Sequence, residues 1–213
     1  VGAVGLNTAV HDGHDLGWKL AWCARGIAGD ALLDSYAAER GPVGERNARR
    51  SLRMGETDPS DGLPGDLGPV HRSAVVAAAG DGPGFVGPER AAARPGERAP
   101  HVWISTGAGR RSSLDLFGGR LVLLTDRRGA AWRGAADVLA AEGAPLAAPA
   151  VRDPRGRLAR ALRLDGPGAV LVRPDGYVAW RADGAVGDPV GALRGAVALA
   201  LGHDARTRVA RPA

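Results

Sequence analysis

The opening segment Gly2-Ala3-Val4-Gly5-Leu6-Asn7-Thr8 has the residue types of an anion-binding device. A glycine-bearing turn that feeds directly into a helix presents backbone N–H groups with no intrahelical acceptor, together with the positive end of the helix dipole. Gly2 and Gly5 let the backbone lie close to a flat ligand, and Asn7 either caps the helix or hydrogen-bonds that ligand. The same residues read equally well as a tight turn and a cap with no ligand. A second group, His11, Asp12, His14 and Asp15, places imidazoles and carboxylates on one helix face, the spacing a metal site uses. His71, His101 and His203 are isolated, so no further pair supports coordination, and the expectation is a polar helix face near solvent or a domain boundary, with no metal. Trp18 and Trp22 stand one turn apart and are expected to pack between domains rather than stack on a substrate. The single cysteine, Cys23, excludes an internal disulfide and a multi-thiolate zinc site, and is expected to be an inert buried thiol.

A helix must carry these groups. From Leu6, small and apolar residues recur at Val10, Gly13, Gly17, Leu20 and Ala24, which predicts one apolar helix face whose glycines admit another backbone. Asp15 and Lys19, four apart with the acid first, read as a surface pair. After a break at Gly26 to Gly29, Asp30 is placed to cap a second helix, Ala31 to Arg40. Gly41-Pro42 then opens a third, through about Met54. Residues 55–97 are rich in proline and glycine and read as a linker, with one short helix over Ser73 to Ala79.

From residue 98 strands alternate with helices. Strands are expected at His101 to Ser105, Arg120 to Thr125 and Ala147 to Val151, and a helix at Ala130 to Ala141. Ala169 to Val172 and Tyr177 to Arg181 read as antiparallel strands joined by a type I turn, Arg173-Pro174-Asp175-Gly176. A last helix runs from Pro189 to Leu201. The fold class is therefore α/β: an N-terminal helical segment, then a small sandwich laid out like thioredoxin. It lacks Cys-x-x-Cys, so dithiol exchange is excluded.

Composition narrows the function further. The 213 residues carry a formal charge of +5, and Lys19 is the only lysine, so arginine supplies nearly all the positive charge. Those arginines are mixed with acids, and the densest run, Arg152 to Arg163, has no accompanying aromatic series, which argues against a nucleic-acid partner. No run approaches the roughly 18 apolar residues of a membrane span. Nor does the N-terminus read as a leader, so a soluble, cytoplasmic protein is expected. Val1 is not an initiator methionine and no strand precedes the first helix, which reads as a fragment whose N-terminal portion lies elsewhere.

Gly2-x-x-Gly5-Leu6-Asn7-Thr8, Asp12, Asp15-Leu-Gly-Trp-Lys-Leu-Ala21 and Leu32-Leu-Asp-Ser-Tyr36-x-x-Glu39-Arg40-x-Pro42-Val43 resemble the C-terminal part of the FAD-dependent aromatic hydroxylases, the single-component (class A) flavoprotein monooxygenases. Arg98-Ala-Pro-His-Val-Trp103, Ser113-Leu-Asp-Leu-Phe117 and Gly168 to Arg181 resemble the thioredoxin-like tail of the polyketide hydroxylase branch. The resemblance implies that residues 1–54 end an FAD-binding domain, 55–97 link, and 98–213 form the tail domain. It implies that NADPH reduces FAD, that oxygen adds to the flavin as a C4a-hydroperoxide, and that an aromatic polyketide or phenolic ring is hydroxylated. Gly2, Gly5, Leu6 and Asn7 would then contact the cofactor, with Asp12 and Asp15 to Lys19 placing the helix, and the arginines would favour approach of anionic FAD or NADPH. Ala3 stands where the family has a second glycine, and Asp15 where it has asparagine. The Gly-x-Gly-x-x-Gly of a dinucleotide fold is absent, so this chain alone is not expected to hold FAD or turn over. A homodimer stays open, and the alternative reading is a non-catalytic thioredoxin-like interaction or dimerisation module.

Overall fold

In a computed structural model, residues 4–53, 63–78, 82–107, 109–153 and 155–203 are described. The N-terminal region is an antiparallel helix pair, α1 (Val4–Ala24) and α2 (Asp30–Leu52). Three ties fix their register: Lys19 to Glu39, Asp12 to Arg40, and Thr8 to Asn47. The break expected at Gly41-Pro42 does not occur, and α2 runs through it with Pro42 in its interior. Proline removes one backbone hydrogen bond, but Glu39 and Arg40 on one side and Asn47 on the other are each bonded to α1, which holds both halves in line. Asp30 is not the cap either. Gly29 is, without a side-chain cap bond, because this position is selected by contact: its N–H donates to the Leu201 carbonyl at 2.9 Å, and a β-carbon there would overlap the Gly202 carbonyl oxygen.

The expected apolar stripe of α1 points outward. Leu6, Val10 and Leu20 are 74%, 63% and 46% exposed, and Gly13 and Gly17 face open space rather than another backbone. The buried face instead carries Asp15, Lys19 and Trp22. Asp15 and Lys19 are thus no surface pair. What they face within this chain is charged, so ion pairing rather than apolar patterning decided which side turned inward.

A short helix, α3 (Leu63–Leu67), which the sequence had not suggested, leads into an extended segment. The helix expected over Ser73 to Ala79 is a turn as far as it lies within the described residues. Val75 is fully buried and the Ala77 N–H donates to the Ala179 carbonyl at 2.8 Å, so the tail sheet takes the donor that a helix would have used. Gly96, Ala99 and Val178 extend this backbone pairing along the same edge.

The tail begins with a ribbon of β1 (Trp103–Thr106) and β2 (Gly109–Ser112), followed by a 3-10 turn at Ser113–Leu116 with a Ser112/Asp115 capping box. Then come β3 (Leu121–Thr125), α4 (Ala130–Ala141), β4 (Leu146–Ala147), α5 (Arg157–Ala161), β5 (Ala169–Val172), β6 (Val178–Ala182) and α6 (Pro189–Ala200). The sheet order is β4-β3-β5-β6, with β3 and β4 parallel and the other pairs antiparallel, the βαβ-then-ββα layout expected. The strand predicted to reach Val151 stops at Ala147, shortly before Pro149, which has no N–H for a ladder. Both faces of β3 and β5 are covered, which explains their uninterrupted Leu and Val runs. On one face Leu121, Leu123 and Leu171 pack with Trp132, Leu193 and, from the N-terminal helices, Trp22 and Leu32. On the other, Val122, Val170 and Val172 pack with Ile104, Leu158 and Leu162. Helix pair and tail therefore share one core.

Gly29→Ala is expected to destabilise the chain by about 1–3 kcal/mol, because the obstructing atom is backbone and cannot swing away. Gly13→Ala, in open space inside α1, is expected to stabilise by up to about 1 kcal/mol. Urea midpoints at unchanged m-value measure both.

Candidate functional site

The junction of helix pair and tail is filled with charge. Glu39 of α2 accepts two hydrogen bonds from the Arg173 guanidinium, at 2.6 and 2.8 Å, one from Lys19 of α1 at 2.8 Å and one from Ser73 Oγ at 2.6 Å. Lys19 Nζ also lies 2.8 Å from Asp15 Oδ2. Arg173 reaches Asp175 within its own turn, and its guanidinium lies over the Trp18 ring, 5.4 Å from the centroid. The turn is the one read from Arg173-Pro174-Asp175-Gly176: the Gly176 N–H donates to the Arg173 carbonyl at 3.0 Å, with Gly176 at φ +83°. Asp175 in turn accepts from the Tyr177 N–H at 3.2 Å, and the Tyr177 ring stacks on His71 at 3.7 Å.

Glu39, Arg173, Lys19, Asp15, Asp175, Tyr177 and His71 are buried, and Ser73 and Trp18 partly so. Burial by itself would push the carboxyl of Glu39 up, but Arg173 and the His71 contact outweigh it and hold Glu39 well below the usual range. Asp175 is likewise held low, because Arg173 overcomes its burial. Burial lowers His71, against the pull of Glu39. Asp15 goes the other way: burial, with Asp175 nearby, pushes it up to about 6 despite Lys19. Three carboxyls thus face two fixed cations, and Asp15 is the one that gives up its charge first. Ligating atoms of Asp15, Glu39, His71 and Asp175 fall within 4.8 Å of one another, but the positive charge among them comes from Lys19 and Arg173.

The expected cofactor residues lie at the far end of α1. Gly2 is outside the described residues. Gly5, Leu6 and Asn7 sit within α1 rather than in a turn before it, since Val4 is already helical and its carbonyl accepts from Thr8 Oγ1. Asn7 does not cap: its Nδ2 donates to Asp66 of α3 at 2.9 Å. Gly5 has nothing within 4 Å of its β-carbon position, and Leu6 is exposed. Gly5 and Leu6 leave room at this end of α1 for a flat ligand such as an isoalloxazine.

Of the residues weighed as metal ligands, Asp12 and Asp15 are engaged by Arg40 and Lys19, while His11 and His14 line a cavity of about 260 Å³ with Asp15, His71 and Tyr177. His71 Nε2 and Tyr177 Oη have no hydrogen-bond partner among the described residues, and the cavity has room for water to serve them. Burial, then Arg40 and Arg98, lowers His11. Trp18 and Trp22 meet edge to face at 5.3 Å and pack toward the tail, as expected, while Cys23 is half-buried and burial raises its thiol. Sequence reasoning missed the junction. Glu39, His71 and Asp175 carried no signal of partnership, although a lone lysine on a helix and two opposite charges within one tight turn were the features to follow.

Residues 92–203 match the family described as aromatic-ring hydroxylase, C-terminal, and residues 1–51 match the FAD binding domain family. The tetracenomycin A2 monooxygenase-dioxygenase of Streptomyces glaucescens is 36% identical over 97% of this chain and 40% of its own length. The 4-methyl-5-nitrocatechol 5-monooxygenase of a Burkholderia species is 39% identical over 94% and 41%. Among solved structures, aklavinone-11 hydroxylase in ternary complex with FAD and aklavinone superposes with a TM-score of 0.81 at 40% identity, over 92% of this chain and 40% of that one. The flavin-dependent monooxygenase PieE, in complex with FAD and substrate, gives 0.75 at 31% identity, over 93% and 44%. The chain spans about 40% of the length of the curated relatives it matches.

Glu39→Gln is expected to cost about 3–5 kcal/mol, since it strands buried Lys19 and Arg173 without full counter-charge, whereas Glu39→Leu with Arg173→Met together should cost less than either alone. A double-mutant cycle in urea reads the difference. Groups held low in the fold, Glu39, Asp175 and His71, stabilise it above their unfolded values and lose that contribution as pH falls, from 6.5 for His71 and 4.5 for Glu39 downward. Asp15, raised to about 6, has the opposite sign: its contribution is present below 3.8 and lost as pH rises through 6. The net expectation is a urea midpoint that falls as pH drops below 3.8, where the Asp15 gain is complete while Glu39 and Asp175 lose theirs, less steeply in the Leu/Met double variant.

Proposed function

The chain belongs to the aromatic-ring hydroxylases, and on that premise we propose that it supplies the carboxyl-terminal share of an FAD- and NAD(P)H-dependent monooxygenase acting on an aromatic polyketide or phenolic ring. The observation that carries the reading is that the match to the FAD binding domain covers α1, where Gly5 has open space around it and Leu6 is exposed. The names of the relatives support the substrate class: they include aklavinone, tetracenomycin A2 and a nitrocatechol, and a catechol offers an electron-rich phenolic ring. We assign residues 1–54 to the end of the FAD-binding domain, 55–97 to the connection and 98–213 to the tail.

In this reading Gly2, Gly5, Leu6 and Asn7 hold the cofactor. When bound, FAD supplies the redox equivalents from NADPH and the oxygen activation that ring hydroxylation needs. The work of this chain is electrostatic and positional. Amides at the start of α1, aligned with the helix dipole, favour negative charge placed before them, in the manner of an oxyanion hole. Glycine at position 5 keeps that approach free of a side chain. The Lys19, Glu39 and Arg173 pairing holds the helix against the tail, so the amides do not reorient as charge develops. The exposed residues Leu6, Val10 and Leu20 pack against the remainder of the enzyme and keep water from this end of the helix.

The test is the longer polypeptide encoded in frame with this chain. It is expected to purify yellow with one FAD per chain and to consume oxygen with NADPH, or NADH, when given a polycyclic phenol. Gly5→Val and Asn7→Ala should each weaken FAD retention by about tenfold, roughly 1.4 kcal/mol. A colourless protein that takes up no FAD on titration would overturn the proposal.

A further inference from the structure

The tail domain carries a second concave site that the flavin reading does not use. It is a cavity of about 590 Å³ at the carboxyl end of β3, between the loop after that strand and the one after β4. Ligands of α/β sheets bind outside the carboxyl ends of strands, and the volume lies within the 300–1,000 Å³ of small-molecule pockets. Its apolar floor is Leu124, Leu158 and Leu164, and all three are buried.

Its wall is basic. Arg127, Arg128, Arg133 and Arg152 line it against only two acids, Asp126 and Asp153. Both acids are already engaged. Asp153 accepts the N–H groups of Arg157 and Leu158, at 2.9 and 2.7 Å, and so caps α5. Asp126 accepts the backbone N–H and the Nε of Arg128, both at 2.9 Å. Arg133 is spent on Thr125 Oγ1 and the Asp126 carbonyl. Arg127 and Arg152 remain: exposed, and with no side-chain hydrogen bond or ion pair among the described residues.

We propose that this cavity binds a phosphomonoester carried on an apolar or aromatic body. Four guanidiniums less two carboxylates leave about two positive charges, which a phosphomonoester at neutral pH, with roughly −1.5 to −2, matches and a carboxylate does not. Two free guanidinium forks suit phosphate geometry, since each donates two parallel hydrogen bonds. The space beyond a bare phosphate, and the leucine floor, call for the apolar body.

Fluorescence titration of the full 213-residue chain with 1-naphthyl phosphate tests this, alongside 1-naphthol, 1-naphthoic acid and competing inorganic phosphate. Saturable binding is expected, displaced by phosphate and weakened about tenfold or more by Arg127→Ser with Arg152→Ser. Arg90→Ser, at an exposed arginine outside the cavity, should leave it within about twofold. Arg127→Lys with Arg152→Lys keeps charge but loses the forks, and should fall between wild type and the serine pair. The proposal fails if naphthol or naphthoic acid binds as tightly as the phosphate, if Arg90→Ser costs as much as the serine pair, or if no saturation is seen at millimolar 1-naphthyl phosphate.

Discussion

Glu39 and Arg173 are 134 positions apart, and their paired hydrogen bonds are the contact on which the arrangement of this molecule depends. A carboxylate without exposure is costly in free energy unless every lone pair is used. Here they are: Arg173 takes two, Lys19 another, and Ser73 a fourth. Those donors come from the β5-β6 turn, from α1 and from the segment between α2 and β1. Each segment must therefore be in place before the charge at the centre is tolerated. Net stability is not the main gain, because two apolar side chains of similar volume often do as well as a buried pair. The gain is orientation: leucines slide past one another, whereas a guanidinium fork on a carboxylate has one geometry.

From that constraint the packing follows. With its charged side drawn to Glu39, α1 places Trp18 and Trp22 toward the tail, where Trp22 joins the core built on Leu121, Leu123 and Leu171. The turn that carries Arg173 is rigid for its own reasons, with proline at its second position, a left-handed glycine at its fourth, and Asp175 bonded to both Arg173 and the Tyr177 N–H. A stiff turn on a buried hairpin is a better anchor than a loop, since backbone and side chain are fixed before the partner arrives.

Much of the tail was legible in the sequence. Leu121 to Thr125 and Ala169 to Val172 are apolar runs of strand length, and Pro-Asp-Gly between two such runs names its own turn. The N-terminal region was less legible. Periodicity finds the apolar face of a helix, but α1 turns that face outward, because ion pairing with residues 20 and 158 positions away outweighs it, and one sequence says nothing about which distant charges meet. Pro42 reads as a boundary, yet flanking contacts to α1 carry the helix across it. Gly29 reads as a loop residue, whereas its smallness is demanded by a carbonyl near the other end of the chain. Of the candidate site, the helix that carries Gly5, Leu6 and Asn7 was legible and the buried junction was not. The first depends on local chain geometry, the second on long-range pairing.

The two sides of α1 divide a task. Its inner side is tied by charge, and charge pairs are specific in direction, so rotation of α1 by even one residue, about 100°, would remove Lys19 from Glu39 and Asp15 from Arg173. Its outer side is apolar, and apolar contact is permissive in direction. A helix held this way takes its orientation from the tail and leaves its outer partner free to fit. Under the proposed function, that is what an amide cluster facing a cofactor requires: an angle set by the rigid side, and a cover on the other side that excludes water without pulling the helix off axis. The tail, with no cysteine pair of its own, then matters to a flavin site by fixing, through Arg173 and the core it shares with Trp22, the direction in which α1 points.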